Sequence, residues 1–304
     1  MARPSPPRVS VVVAARAAPA SLDRALASLA AQPRAAELEV LLADGSDAGV
    51  LAVAARSRAG VRHIAAPGAA LPALKAAAIR AASGELVAIL DPTDAAEPGW
   101  LDEILAAFED GTVSAVGGAV LLDNAAASAN VAAYLFEYGA FNPPFGAGDA
   151  PGDLPGNNVA YRRRALTVDC ADLLETEGFY KPLFHERIRA RGGRLVLRPS
   201  MRVRHLTQHR FLEFGLRRFH YGRCFGATRL RRASPGRRFL YRFLAPVVAP
   251  VLVARHLRRA WMHPGNRRLL ARAAPALCGV CAFWGVGEWL GYWFGDGGSC
   301  GMVY

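Results

Sequence analysis

Glu85-Leu86-Val87-Ala88-Ile89-Leu90-Asp91-Pro92-Thr93-Asp94 runs from an apolar, β-type segment into an acidic turn. Pro98-Gly99-Trp100-Leu101 then opens a segment with Leu101, Ile104, Leu105 and Phe108 at i, i+3, i+4 and i+7. The first pattern predicts a buried strand over 85–90 and the second a helix with one apolar face. The alternation extends towards the N-terminus. Val9 to Ala14 reads as a strand, since the apolar stretch ends at Arg16 and is short for a signal-peptide core. Ser21 starts a helix carrying Leu22, Leu26 and Leu29, stopped by Pro33. A strand over Leu38 to Ala43 ends in the turn Asp44-Gly45-Ser46-Asp47. Helix 47–58, strand 61–64 and helix 69–82 complete the run. Strand–helix alternation of this period predicts an α/β fold with a mainly parallel, doubly wound sheet. Such sheets bind ligands beyond the carboxyl ends of their strands, where both acidic turns fall.

Past Val113 the pattern is less regular. A strand over 113–121 leads into a Gly/Pro/Asn-rich stretch, 139–158, which reads as a long functional loop. Strands over Gly156 to Tyr161 and Arg194 to His205 flank a helix over 179–191. Beyond Gln208, Phe211, Phe214, Phe219 and Phe225 mix with Arg217, Arg218, Arg223 and Arg229 in an amphipathic helical stretch.

Charge divides the chain in the same place. The protein has 304 residues and a net charge of +12, but the segment from 201 onward alone holds 18 arginines against Glu213, Glu288 and Asp296. A region that basic calls for a polyanion, either nucleic acid or an anionic membrane face. Arginine interleaved with apolar runs suits lipid better than a phosphodiester backbone, so the expected partner is a membrane surface and no nucleic acid. Phe243 to Ala254, with Pro246 and Pro250, is too short to span a bilayer; Ala273 to Gly295 is long enough but carries Glu288 and several glycines. Arginines flank the first run on both sides, which predicts an interfacial or re-entrant attachment on the cytoplasmic face of the membrane. A C-terminal core subdomain or an oligomer interface is the alternative. Residues 1–207 are expected to form the α/β domain and 208–304 a basic, helical, membrane-associated region. The five cysteines form no disulfide framework; Cys278 and Cys281, with no second ligand pair, read as packing thiols in a reducing cytoplasm. Only Lys75 and Lys181 are lysines among 37 basic residues.

Val9–Ala15, Ala43-Asp44-Gly45-Ser46-Asp47, Ala81-Ala82-Ser83-Gly84-Glu85, Leu90-Asp91-Pro92-Thr93-Asp94 and Pro98-Gly99-Trp100-Leu101 resemble, in order and spacing, the family 2 glycosyltransferases. The resemblance covers roughly residues 8–205 and implies a GT-A fold, Rossmann-like, with a mixed sheet flanked by helices. It also implies a nucleotide-sugar donor and a divalent cation, Mn2+ or Mg2+. Asp44 falls where the family contacts the nucleotide base; a turn aspartate bonding its own backbone is the plainer alternative. Lys75 and Asp91 fall near the phosphates, although Lys75 also suits a solvated helix face. Asp91, Asp94 and His205 are the expected metal ligands, with Thr93 in place of the family's middle carboxylate. Asp94 through Glu97 also reads as acids favouring a helix N-terminus. Together Asp44, Asp91 and Asp94 are expected to meet at one sheet edge around a cation-bridged pyrophosphate.

On the acceptor side the resemblance places Gly156, Asn157 and Asn158 along the site. Family members carry an acid that takes the acceptor proton, and here Tyr180 and Lys181 occupy its place. Glu177 is the nearest substitute, with Glu175 and Glu186 behind it. The resemblance implies an inverting transfer, and the membrane-apposed tail points to a lipid-linked or polysaccharide acceptor in cell-envelope glycan synthesis. Thr93 and Lys181 leave open a catalytically impaired sugar-nucleotide-binding protein on the same scaffold.

Overall fold

The valines at positions 9, 11, 12 and 13 never reach water: strand β1 (Val9–Ala15) is buried along its whole length, as a strand covered on both faces must be. It is seen in a computed structural model that describes residues 7–17, 20–46, 60–123, 125–206, 209–231 and 233–303. The expected helix over 47–58, with Asp47, lies outside the described residues. β1 pairs in parallel with β2 (Leu38–Asp44) and with the strand at Leu86–Leu90, while β2 pairs in parallel with β3 (Val61–Ala65). The strand at Leu86–Leu90 is β4, and beyond it antiparallel pairings enter. The remaining strands are β5 (Asp94–Ala96), β6 (Val113–Leu122), β7 (Gly148–Asp149), β8 (Asn158–Arg162) and β9 (Arg194–His205). The sheet order is β3-β2-β1-β4-β8-β6-β9-β5, with β7 on β9. The fold is therefore mixed α/β, with the parallel run β3-β2-β1-β4 that the alternation predicts and antiparallel strands beyond it.

Helices α1 (Leu22–Ala30), α2 (Leu71–Ala81) and α3 (Trp100–Ala107) lie near the predicted positions. α1 presents Leu22, Ala25, Leu26 and Leu29 to the core. Its polar groups brace the acidic turn. Ser21 Oγ donates to the Pro92 carbonyl at 2.9 Å, Ser28 Oγ accepts from the Ala96 N–H at 2.9 Å, and Gln32 Nε2 donates to the Glu97 carbonyl at 3.1 Å. α3 starts one residue after Gly99, whose φ of 83° only glycine adopts cheaply.

Asp94 does not lie in a first helical turn: it opens β5, three residues paired antiparallel with the end of β9. The stretch 139–158 is less of a loop than expected, since it contains β7 and the start of β8. Short helices α5 (Arg163–Thr167) and α6 (Ala171–Thr176) follow β8, then α7 (Lys181–Ala190). Asn158 ties this half together. Its Oδ1 accepts from Trp100 Nε1 at 2.8 Å, and its Nδ2 donates to the carbonyls of Ala119 on β6 and Met201 on β9, each at 2.9 Å. Fully buried and hydrogen-bonded through both amide atoms, Asn158 serves the core. The acceptor-side position given to it in the sequence reading is corrected to a packing one.

All of these elements belong to one of two compact units, residues up to 121 with 145–206; the second holds 122–144 with 207 onward. In the second unit, α4 (Ser128–Glu137) joins α8 (Phe211–Arg231), α9 (Pro235–Met262), α10 (Arg267–Phe294) and α11 (Ser299–Val303). α9 differs from the expected short run: it is a continuous helix of 28 residues through Pro246 and Pro250. α8 and α10 cross through reciprocal glycine pairs. A Cβ at Gly222 or Gly226 would meet the carbonyl oxygen of Trp284 or Glu288 at 2.2 or 2.5 Å. One at Gly287 or Gly291 would meet that of Phe219 or Arg223 at 2.1 or 2.3 Å. Small residues spaced four apart allow this backbone approach. The cysteine reading needs a correction as well: Cys224 and Cys300, 76 residues apart, form a disulfide, while Cys170 and Cys281 are buried free thiols. Disulfides are uncommon where thiols are kept reduced, so the cysteines lend no support to a cytoplasmic placement.

Two substitutions test this packing by thermal and denaturant unfolding of the full chain. Asn158→Ala strands a buried indole N–H and two carbonyls and is expected to cost about 3 kcal/mol. Gly287→Val drives a side chain into the α8 backbone and is expected to cost about 2 kcal/mol or more.

Candidate active site

The carboxyl edge of the parallel strands carries three polar centres. At the end of β2, Asp44 is 2% exposed. Its Oδ1 accepts the Ser46 N–H at 2.8 Å and the Ser46 hydroxyl at 2.5 Å; its Oδ2 lies 2.9 Å from Nε2 of His63 on β3. The turn geometry of the plainer alternative is thus present, together with a histidine partner that the sequence reading did not include. Burial raises the Asp44 carboxyl, but the Ser46 and His63 hydrogen bonds outweigh it and hold the group below its usual range. Immediately after β4, the half-buried Asp91 accepts from Nζ of Lys75 on α2 at 3.0 Å. Lys75 is therefore turned to the strand edge and not to a solvated helix face.

Asp94 is the third centre and has no exposed surface. Its Oδ1 lies 2.9 Å from His205 Nδ1, its register partner on β9, and its Oδ2 accepts from Asn157 Nδ2 at 3.0 Å. Burial pushes its carboxyl up to about 6 against these hydrogen bonds. Asp44, Asp91 and Asp94, expected around one cation-bridged pyrophosphate, each have a protein partner of their own, and Asp94 is fully buried. Among the described residues no three His, Cys, Asp or Glu side chains form a ready metal cage.

The donor set nevertheless suits a cation that a diphosphate helps to hold, as Mg2+ sites on nucleotides commonly use only one or two carboxylates. Asp91 supplies a partly exposed carboxylate. Asn157 Oδ1 is buried beside Asp94 without a hydrogen-bond partner. Asp94 Oδ1 holds His205 through Nδ1. A carboxylate behind a histidine is the usual way to orient such a ring. Asp94 stands in that relation to His205, 2.9 Å from Nδ1.

A further polar chain leads away from Gly156. A Cβ at Gly156 would stand 3.9 Å from Cδ and Cε of Lys181, the first residue of α7. Lys181 Nζ lies 2.5 Å from Asp153 Oδ2 and also donates to the Leu154 carbonyl. Asp153 Oδ1 bonds His185 Nδ1, and His185 Nε2 lies 2.7 Å from the Tyr161 hydroxyl. Burial lowers the pKa of both Lys181 and His185. Neutral His185 satisfies both bonds when its proton sits on Nδ1. Glu177 closes α6, exposed to solvent, and Glu175 is exposed on the same helix.

The structure thus gathers Lys75 with Asp91, and Asp94 with Asn157 and His205. His63, Asp153 and His185 were missed. Lys181 was the one available clue to Asp153, because a lysine in a buried site needs a counter-charge.

Residues 6–218 match the family described as "Glycosyltransferase like family 2". Among solved structures, the mannosyltransferase PcManGT from Pyrobaculum calidifontis, in complex with GDP-Man and Mn2+, is 19% identical. The match covers 94% of this chain and 87% of that one with a TM-score of 0.57. Residues 1–349 of S. aureus TarS are 14% identical over 90% of each chain, with a TM-score of 0.49, too low to bear on the fold. No curated protein matches the chain. With the family matched over more than half its length and the GT-A fold in place, the chain belongs to glycosyltransferase family 2 and is a glycosyltransferase.

Proposed function

We propose that the chain moves a sugar from a nucleoside-diphosphate donor to a hydroxyl acceptor with inversion at the anomeric carbon. The acceptor we propose is lipid-linked or a polysaccharide, in cell-envelope glycan synthesis. The observation that carries this reading is the row of polar pairs along the carboxyl edge: Asp44 with His63, Asp91 with Lys75, and His205 with Asp94. Asp44 offers a carboxylate oxygen to the imide N–H of uracil or an N–H of guanine. Lys75 offers an ammonium to a diphosphate oxygen in this reading. Asp91, with His205, Asn157 Oδ1 and the Thr93 hydroxyl, would hold Mn2+ or Mg2+. When bound, the cation supplies charge neutralisation to the departing diphosphate. Gly156 and Asn157 line the acceptor side, where a carboxylate takes the proton of the attacking hydroxyl.

Residues 1–207 are the catalytic part in this reading and 208–304 the membrane-associated part. α9 and the segment Pro264–Phe294 are long and apolar enough to cross a membrane by length and composition. α9 exposes Phe239, Phe243, Val247 and Val251, and arginines flank its apolar stretch. That arrangement favours attachment at the cytoplasmic face through the interface. Thr93 and Lys181 support the second reading, a sugar-nucleotide-binding protein with impaired turnover.

A panel of UDP- and GDP-sugars, scanned for thermal stabilisation with and without Mn2+, tests the donor site. One donor class is expected to stabilise the chain more with Mn2+, and Asp44→Asn to weaken its binding about tenfold. Stabilisation without turnover across glycan and lipid-phosphate acceptors marks the impaired alternative. Attachment is checked by washing membranes that carry the full chain with alkaline carbonate: release fits the interface, and retention means that the helices span.

A further inference from the structure

Lys181 raises a question of charge. It occupies the place of the family's proton-accepting acid, where an ammonium cannot act as a base without a large fall in its pKa. Yet the ammonium is not alone there. It is paired with the Asp153 carboxylate, whose second oxygen is held by His185, itself held by the buried Tyr161. Two side chains of α7 thus fix both oxygens of a residue supplied by the segment before β8. The Asp153 side chain nevertheless stays 45% exposed. A carboxylate has about four lone-pair directions; Lys181, His185 and the Leu154 N–H, which donates to Oδ1 at 3.1 Å, use three, so one on Oδ2 remains for a hydroxyl arriving from solvent. The position follows from Gly156, which packs on the Lys181 stem and precedes Asn157, the donor to Asp94. Glu177 has no comparable support: it is exposed at the end of α6, beside Gly178, which packs on Pro72.

The geometry points to Asp153 as the general base for the acceptor hydroxyl, with Lys181 as the residue that positions it. This rests on the reading of the chain as an active inverting transferase. In the step, the acceptor O–H bond breaks and its proton passes to an Asp153 oxygen. The acceptor oxygen bonds the anomeric carbon, and the bond from that carbon to the diphosphate oxygen breaks, its electron pair leaving with the nucleoside diphosphate. Burial raises the Asp153 carboxyl, but His185 and Lys181 outweigh it and hold the group well below the usual carboxylate range. The base is therefore ionised throughout the neutral range, though weak. A diphosphate near Lys75 and Lys181 draws on the Lys181 charge and strengthens it.

The test uses the full-length chain in detergent, with UDP-glucose, UDP-N-acetylglucosamine and GDP-mannose as probe donors and water as the surrogate acceptor. Release of UDP or GDP gives the rate, and calorimetry with UDP and GDP gives affinity. Asp153→Asn is expected to lower release about 100-fold while nucleotide affinity stays within about twofold, and Asp153→Glu to recover part of the rate. Asp153→Asn leaves Lys181 without a counter-charge, so the double variant Asp153→Asn/Lys181→Gln, which removes both charges, is measured alongside. Its release is expected to stay low, because the carboxylate is still missing. Wild-type release by either variant, or a loss confined to Glu177→Gln, overturns the assignment. A wild-type chain that neither binds UDP or GDP nor releases them from any probe overturns the transferase reading and this assignment with it.

Discussion

A carboxylate sealed from water must find its partners inside the protein, and the arrangement of the site follows from how Asp94 does so. Its two oxygens are met by His205 and Asn157. That requires the three-residue strand β5 to pair with the end of β9 in one register, and the start of β8 to arrive beside them. A slip of one residue would turn Asp94 to the opposite face and leave both partners unmet. The braces from α1 through Ser21, Ser28 and Gln32 hold the same turn from the other side. The Asp94, Asn157 and His205 cluster therefore follows from satisfying one buried acid.

Much of the first unit could be read from the chain because its signals are local. Strands such as Val9–Ala15 and Leu86–Leu90 are short apolar runs closed by turns, and α3 shows its apolar face in the spacing of Leu101, Ile104 and Leu105. Asp44 and Asp91 stood out because the acidic turns fall at strand ends, whereas Lys75 and His205 were singled out only by the family resemblance. What stayed hidden depends on distant partners. Asp153 lies 28 residues from Lys181 and 32 from His185, inside a segment whose composition says only loop. β5 is too short to show a period, and no spacing marks Cys224 and Cys300 as a pair.

The second unit teaches a different lesson about its arginines. Read as a total, they give a strongly basic tail; in the fold several are occupied locally. Arg218 pairs with Glu137 at 2.6 Å and lies over Phe214 and Tyr221, and Arg229 lies over Tyr241 and 3.6 Å from the buried Glu288. Part of the charge is spent on aromatic faces and on a buried acid, where guanidinium is better suited than ammonium.

The scarcity of lysine has a practical corollary. Both of the chain's ε-amino groups, Lys75 and Lys181, stand beside carboxylates of the catalytic unit, Asp91 and Asp153, while every other basic side chain of Lys or Arg type is an arginine. An acylating reagent that spares guanidinium would therefore mark these two positions almost alone, and protection of those two amines by a bound compound would report occupancy without any engineered probe.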